Sequence, residues 1–297
     1  MSLGAVGRNL GLEPRSREAF LRLLDHVLDA LPPQRVHFGK KGTPPSDRHA
    51  EMYPKHVFDI PLAGVKRIVF GHAGQPEDRL FPPGDLLYCE PLAWKLPRWD
   101  RPHELCCLVF DQSFVRITYV DATAGSPPGE RPSCTCFYHT QLPPAPALRS
   151  ILRTFAQLAE PGDPGQAAPD LARALLRLVR AQVAADRAPR LGKAQATFQN
   201  IQQYLADHYS SPLSREGVAR LFRLHPSYLS RLCQEQGGMS FSEHLRHLRM
   251  EQAALLLKET KLQVDQVCDR CGYRSVTFFT TAFRNYHGLP PGEFRRS

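Results

Sequence analysis

Two short segments near the end of the chain place hydrogen-bonding side chains at helical spacing. The first carries Ser227, Ser230, Arg231 and Gln234, and residues three or four apart share one face of a helix. Hydroxyl, amide and guanidinium groups on the early turns of a helix can hydrogen-bond to base edges in the major groove and to phosphates. The spacing therefore predicts a face that reads DNA.

The second segment carries a different set of side chains on the corresponding face. Its members are Val276, Thr277, Thr280, Thr281 and Arg284. Threonine hydroxyls can hydrogen-bond to bases or phosphates, and Arg284, like Arg231, suits a guanine or a phosphate. Val276 could contact a thymine methyl group. This pattern indicates a second reading helix.

The two segments belong to an internal repeat. Residues 214–240 align with residues 261–290 at an offset of 49 residues, which becomes 50 after one extra residue in the turn. Each copy predicts a short helix, a tight turn, a second helix and a closing glycine, which is helix-turn-helix geometry. Val218, Leu221 and Phe222 are expected on the inner face of the first copy.

A long amphipathic helix is predicted between the copies, over residues 241–260. Leu245, Leu248, Ala253, Leu256 and Leu257 make its apolar face. Such a helix would hold the two reading helices at a fixed separation, and successive major grooves on one side of DNA are about 34 Å apart.

The N-terminal part of the chain has a different pattern of apolar and turn-forming residues. Short apolar runs separated by Pro/Gly-rich turns recur every 8–12 residues or so over 36–142, a spacing typical of an all-β sandwich or barrel. Amphipathic helices are predicted at 16–31, 148–160 and 170–185, the last two forming a helical hairpin. Residues 186–197 lack periodicity and predict a linker.

Composition limits the class of protein. The chain has 297 residues and a formal net charge of +9, enough length for two domains. No window approaches ~18 consecutive apolar residues, and residues 1–17 have no apolar core of a secretory signal. We therefore expect a soluble cytoplasmic protein with no membrane partner. Cys268 and Cys271 alone have a metal-like spacing, and because no second pair exists the cysteines are expected to be buried apolar residues.

The C-terminal residues resemble the AraC/XylS family of bacterial transcription regulators over about 198–297. The segment GGMSFSEHLRHLRMEQAALLL and the tail VDQVCDRCGYRSVTFFTTAFRNYHGLPPGEFR match two signatures of that family. Tyr228 matches an aromatic that the family often has beside Leu229. Two departures are His225-Pro226, where the family usually begins its first recognition helix with Ser, and Thr281, where it usually has a basic residue.

The resemblance implies a cupin-like sensor domain before this module. The expected fold is α+β with two domains. The first, 1–185, is a cupin-like β-barrel with the helical hairpin 148–185, followed by the linker 186–197. The second, 198–297, is an all-α DNA-binding domain with two helix-turn-helix motifs.

A small-molecule effector, a carbohydrate or other carbon source, is expected in the β-domain. Candidate effector residues are His49, Glu51, Tyr88, Trp94 and Trp99, each of which could equally be a core or strand residue. A metal-binding cupin needs two close histidines, a glutamate and a later histidine. Because His49-x-Glu51 and Trp94-Lys95 stand at those places, we expect no metal and no cofactor.

The partners that follow are double-stranded DNA, the effector and a second copy of the chain, with RNA polymerase a further candidate. The leucines of the 148–185 hairpin are the predicted dimer element, the alternative being that these helices simply cover the β-domain. The protein is predicted not to be an enzyme. Two other classes stay open at this point: a metal-dependent cupin enzyme with an appended helical domain, and a ligand-independent nucleoid or adaptor protein.

Overall fold

The computed structural model describes residues 6, 10, 16–45, 47, 49–72, 74–122, 135–140, 143–158, 166–186 and 192–297. The chain divides into two compact units, Met1–Pro45 with His49–Ala188 and Ser46–Arg48 with Pro189–Ser297. Parts of the predicted β-region (123–134), hairpin (159–165) and linker (187–191) lie outside the described residues. No helix in the described ranges is long and apolar enough to cross a membrane.

The first unit contains three helices and ten strands among its described residues. They are α1 (Arg17–Ala30), β1 (Arg35–Gly39), β2 (Glu51–Met52), β3 (His56–Gly64), β4 (Lys66–His72), β5 (Gln75–Phe81), β6 (Asp85–Cys89), β7 (Trp94–Arg98), β8 (His103–Phe110), β9 (Val115–Asp121), β10 (Thr135–His139), α2 (Pro146–Leu158) and α3 (Ala167–Ala185).

The strands form two sheets that share an apolar layer. The larger sheet has the order β1-β6-β3-β8-β9-β10, and the smaller has the order β2-β7-β4-β5. Val57 and Leu87 of the larger sheet cluster with Ile68 and Phe70 of the smaller one. Because side chains alternate along a strand, the neighbouring Phe58 points to the opposite face of the larger sheet, where the helices pack.

The barrel in the predicted fold class is wrong for the described strands, which make two open sheets. Each sheet ends in its own edge strands, and in the described part of the chain no hydrogen-bonded ladder joins the two sheets. Strand spacing and turn residues are alike in a sandwich and a barrel, and closure depends on pairing between strands distant in sequence. The expectation of a mostly β N-terminal region is confirmed.

The helices of the first unit cover the larger sheet. Ser16 caps α1 by accepting a hydrogen bond from the Ala19 N–H, at 3.2 Å. In α3, Leu175 and Leu176 are fully buried in the same core as Phe58. Part of the leucine stripe predicted to dimerise is therefore packed within its own unit.

The second unit is entirely helical in its described residues. Its helices are α4 (Lys193–His208), α5 (Arg215–Leu221), α6 (Pro226–Gly237), α7 (Phe241–Glu259), α8 (Val264–Arg270), α9 (Val276–His287) and α10 (Pro291–Arg296). The predicted linker is wrong at its C-terminal end, because α4 begins inside it, directly after Gly192. Ala196 is buried, so this first turn of α4 is anchored by packing rather than by a strong sequence period.

Local capping explains where the helices of this unit begin. Ser214 and Ser275 each accept a hydrogen bond from a backbone N–H three residues on, at 3.1 and 3.3 Å. Ser240 and Glu243 form a reciprocal capping box at the start of α7. His225, in place of a capping serine, accepts a 3.3 Å hydrogen bond from the Ser227 N–H. The unusual His225-Pro226 pair thus still starts a helix.

The two turns of the repeat share one backbone conformation. Arg223 in the first turn and Gly272 in the second both have positive φ, 55° and 74°, a region where glycine is favoured. A Cβ at Gly272 would lie 2.8 Å from the Ser210 carbonyl oxygen. One prediction fails nearby: Leu221, expected on the inner face, is 45% exposed, because α5 ends there and the chain turns away.

Candidate functional site

Helix α6 presents a polar face outward and an apolar face inward. Ser227, Arg231 and Gln234 are exposed, and the Arg231 guanidinium lies 5.2 Å from the centre of the Tyr228 ring. Ser230 is half-buried, and its hydroxyl donates a 3.2 Å hydrogen bond to the Pro226 carbonyl. Four of the five residues predicted on α6 thus share one accessible surface that can donate and accept hydrogen bonds. Tyr228 is half-buried and supports Arg231.

Helix α9 presents a less polar face. Val276 is 43% exposed, and Thr277, Thr281 and Arg284 are exposed while Thr280 is half-buried. The Thr281 hydroxyl donates to the Thr277 carbonyl at 3.0 Å, so one of its hydrogen-bonding capacities is used within the helix. The first two turns of this face offer methyl and hydroxyl groups but no charge.

The inner faces of both helices are packed as expected. In α6, Leu229, Leu232 and Cys233 are at most 1% exposed, and in α9, Phe279 and Phe283 are fully buried. Phe279 and Phe283 lie 5.8 Å apart between ring centres. Because these side chains fix the rotation of each helix about its axis, they also fix which residues face outward. The predicted inward and outward assignments on α6 and α9 are confirmed for these residues.

Phe278 is 65% exposed and was not among the residues predicted from the sequence. This ring lies beside Tyr273, with ring centres 6.0 Å apart, and joins Val276 on the accessible side of α9. Helical periodicity predicts this exposure. Phe279 and Phe283 lie four residues apart and define the inner stripe, and Phe278 falls outside it.

The cysteines of this unit are buried and uncharged. Burial raises the pKa of the Cys233 thiol to about 11, and burial likewise raises the pKa of Cys268 and Cys271. A thiol bound to a metal must be deprotonated. In the described ranges no three His, Cys, Asp or Glu side chains come together as a metal site. Cys268 instead donates a long 3.6 Å contact to the Tyr273 carbonyl.

The residues predicted to bind an effector are scattered in the first unit. Tyr88 faces the helical layer, where its hydroxyl is 2.8 Å from His56 Nδ1, and Trp94 packs against Gly71. The centre of the Trp99 ring lies 3.3 Å from Lys66 Nζ, and His49 is exposed. The three predicted aromatic contacts therefore pack in three different environments and do not form one stacking surface.

Only Glu51 of that set faces a buried polar cluster, which sequence reasoning missed. Glu51 pairs with Lys95 across β2 and β7, its carboxylate 3.9 Å from Lys95 Nζ. Lys95 also forms an ion pair with Asp59, and both are almost fully buried. Burial alone would lower the pKa of Lys95, but the Asp59 carboxylate, with Cys107 and Glu51, holds that pKa well above its ordinary value.

One atom of this charged cluster is left without a partner. Asp59 Oδ1 is buried and makes no hydrogen bond within the described residues, and a buried polar atom without a partner is costly. The alternation of side chains along β7 could have predicted this position, because Lys95 must point to the opposite face of the sheet from its neighbour Trp94.

Comparison with known proteins identifies the class. The family model described as "Helix-turn-helix domain" matches residues 218–297. The helix-turn-helix transcriptional regulator YijO of Escherichia coli K12 is 30% identical over 215 residues, covering 72% of this chain and 74% of YijO. YpdC of the same organism, also a helix-turn-helix transcriptional regulator, is 26% identical over 241 residues, covering 80% of each chain.

Among solved structures, the C-terminal domain of AraT, a response regulator from Geobacillus stearothermophilus, is 37% identical, with a TM-score of 0.34. The match covers 36% of this chain and 88% of that one.

The chain belongs to the AraC-type family of helix-turn-helix transcription regulators. It is a DNA-binding regulator, and double-stranded DNA is the partner its C-terminal unit implies. The enzyme alternative is wrong, since the relatives are transcription regulators.

Proposed function

We propose that this protein is a sequence-specific transcription regulator whose DNA binding is controlled by a small molecule in the first unit. Residues 1–185 form the sensing and dimerising part, and residues 198–297 read DNA through α6 and α9. The observation that carries the proposal is the pair of buried stripes, Leu229 with Cys233 and Phe279 with Phe283, which aim two unlike faces outward.

The reading residues are the ten predicted from the sequence. They are Ser227, Tyr228, Ser230, Arg231, Gln234, Val276, Thr277, Thr280, Thr281 and Arg284. Hydrogen bonding by α6 and methyl contact by α9 favour different base pairs, because each base pair presents its own pattern in the major groove. We expect two unlike half-sites separated by one turn of DNA, about 10–10.5 base pairs.

The effector is proposed to bind between the two sheets, beside Glu51, Asp59 and Lys95. The cluster contains two carboxylates and one ammonium group, and Asp59 Oδ1 is an acceptor without a donor. Such a surface favours a ligand rich in hydrogen-bond donors, which fits the hydroxyl groups of a carbohydrate. An effector acts only if it binds one arrangement of the protein better than another.

Selection from a pool of random duplexes tests the DNA-reading part. The full chain should enrich one sequence with two half-sites about one turn apart, and enrichment of no sequence would contradict specific reading. A thermal-shift screen of sugars and polyols tests the sensing part, with Asp59→Asn as the variant expected to lose the response.

The protein is proposed to act as a homodimer, which would place four reading helices on repeated half-sites. Contact with RNA polymerase is part of the same proposal. Light scattering of the full chain tests the dimer, and a monomeric mass at the concentration that saturates DNA would contradict it.

A further inference from the structure

A groove of about 790 Å³ separates the two halves of the DNA-binding unit. Its walls come from the start of α5, the first turns of α7 and one face of α9. Because all three helices belong to the second unit, the groove is a feature of that unit alone.

The groove adjoins both reading helices, α9 directly and α6 through Arg215. On one side, Arg215 Nη1 donates a 3.4 Å hydrogen bond to the Ser230 hydroxyl of α6. On the other side, Thr281 of α9 contributes to the wall. Any molecule contacted by both reading faces must therefore pass over the groove.

The groove is lined by three arginines, and Arg246 is the one that can contact a ligand. Arg215 is neutralised by Glu216, with Nη2 and Oε1 2.7 Å apart, and Arg249 donates to the carbonyls of Tyr209 and Ser211. Arg246 is exposed and makes no hydrogen bond or ion pair with any residue of the described ranges.

Two exposed rings lie on the α9 side of the same groove. Phe278 is 65% exposed and Tyr286 is 39% exposed, and both line the cavity. This wall offers a cation and two aromatic rings, which suit an anionic group joined to an apolar one. A phosphate joined to a deoxyribose has that chemistry. When two helices occupy successive major grooves, the sugar–phosphate backbone between those grooves faces the protein.

We propose that this groove binds the DNA backbone between the two half-sites, with Arg246 contacting a phosphate and Phe278 packing against a sugar. The proposal rests on the proposed function and adds a DNA contact by Arg246, which belongs to α7 and lies on neither reading helix. A phosphate contact is independent of base sequence, so the groove contributes affinity and positions the two helices relative to each other.

Arg246→Gln in the full chain tests the phosphate contact, and Arg296→Gln is the matched control. Arg296 is also exposed, lies on α10 and does not line the groove. We expect Arg246→Gln to weaken binding about tenfold on target and scrambled duplexes alike. The slope of log K against log salt should fall by about 0.9, the value for one phosphate. Arg246→Lys should restore most of that slope.

A second arm uses DNA with neutral methylphosphonates midway between the half-sites. This DNA should weaken the wild type and have little further effect on Arg246→Gln, because the same contact is already lost. Equal salt slopes for Arg246→Gln and Arg296→Gln would overturn the proposal while leaving specific reading intact. If instead the wild type does not distinguish target from scrambled DNA, the proposed function fails, and the slope comparison still tests the groove.

Discussion

The two helix-turn-helix halves share a backbone plan but expose different chemistry. The face of α6 has an amide, a guanidinium and hydroxyl groups, whereas the first two turns of α9 expose Val276, Phe278 and threonines. The inner stripes of both helices are equally well buried. Packing of the inner stripe therefore orients each reading helix, and the exposed residues are free to differ between the two halves. We infer that the first half discriminates by hydrogen bonds and the second by methyl contact and shape.

The largest expected effect concerns the two turns. Gly272→Ala should destabilise the second half by about 2–3 kcal/mol, because a positive φ and a close carbonyl both oppose a side chain. Arg223→Gly should instead stabilise the first half by up to about 1 kcal/mol. Hydrogen-exchange protection of peptides from α8–α9 and α5–α6 measures each half separately. Unchanged protection in Gly272→Ala would show that the turns are not constrained as described.

The next effect distinguishes base reading from phosphate contact on α6. Arg231→Ala should cost about 1–3 kcal/mol on target DNA if the guanidinium contacts a guanine. Scrambled DNA should be affected less, because the guanine contact that the substitution removes is made on target DNA. Titration of both duplexes measures the difference, and equal losses on the two would make Arg231 a phosphate contact instead.

A smaller effect should mark the second half. Replacing thymine by uracil removes one C5-methyl group, and a buried methyl group is worth about 0.8 kcal/mol. We therefore expect uracil in the half-site of α9 to weaken the wild type by about that amount and to leave Val276→Ala unaffected. Uracil in the half-site of α6 is the matched control. A larger uracil effect in the α6 half-site would reverse the assignment of the two halves.

The smallest effect is expected from metal removal. Burial raises the pKa of Cys268 and of Cys271, so both remain neutral thiols. Dialysis against EDTA should change neither the thermal midpoint nor the DNA affinity measurably, and native cysteines of this unit should react slowly with iodoacetamide. A chelator-sensitive affinity would mean that the Cys268-x-x-Cys271 segment holds a metal after all.

The reading faces were predictable because helical periodicity is local. The stripes at Leu229–Cys233 and Phe279–Phe283 orient both helices, and the caps at Ser214, Ser240 and Ser275 were found in the structure. Phe278 was harder to place, because it and Phe279 are equally hydrophobic. Only their different positions around the helix axis make one exposed and the other buried.

The first unit was less predictable because its features depend on pairing between distant strands. Closure of a sheet depends on which distant strands pair, and Lys95 meets Glu51 across β2 and β7 but meets Asp59 across the two sheets. Aromatic rings suit a ligand, but Tyr88 and Trp94 lie on strands of different sheets and Trp99 follows the end of β7, so the three rings lie in different environments. The apolar stripe of α3 lies on one face as predicted, and only the fold shows that Leu175 is buried in the core of its own unit.

Fluorescence anisotropy of the full chain on its own upstream intergenic DNA and on scrambled DNA, across a range of salt concentrations, tests the central claim most directly. Two specific reading faces should bind the native fragment at least about 10³-fold more tightly than scrambled DNA. Equal binding to both, falling steeply with salt, would mean that only a basic surface is at work and would contradict reading by two specific faces.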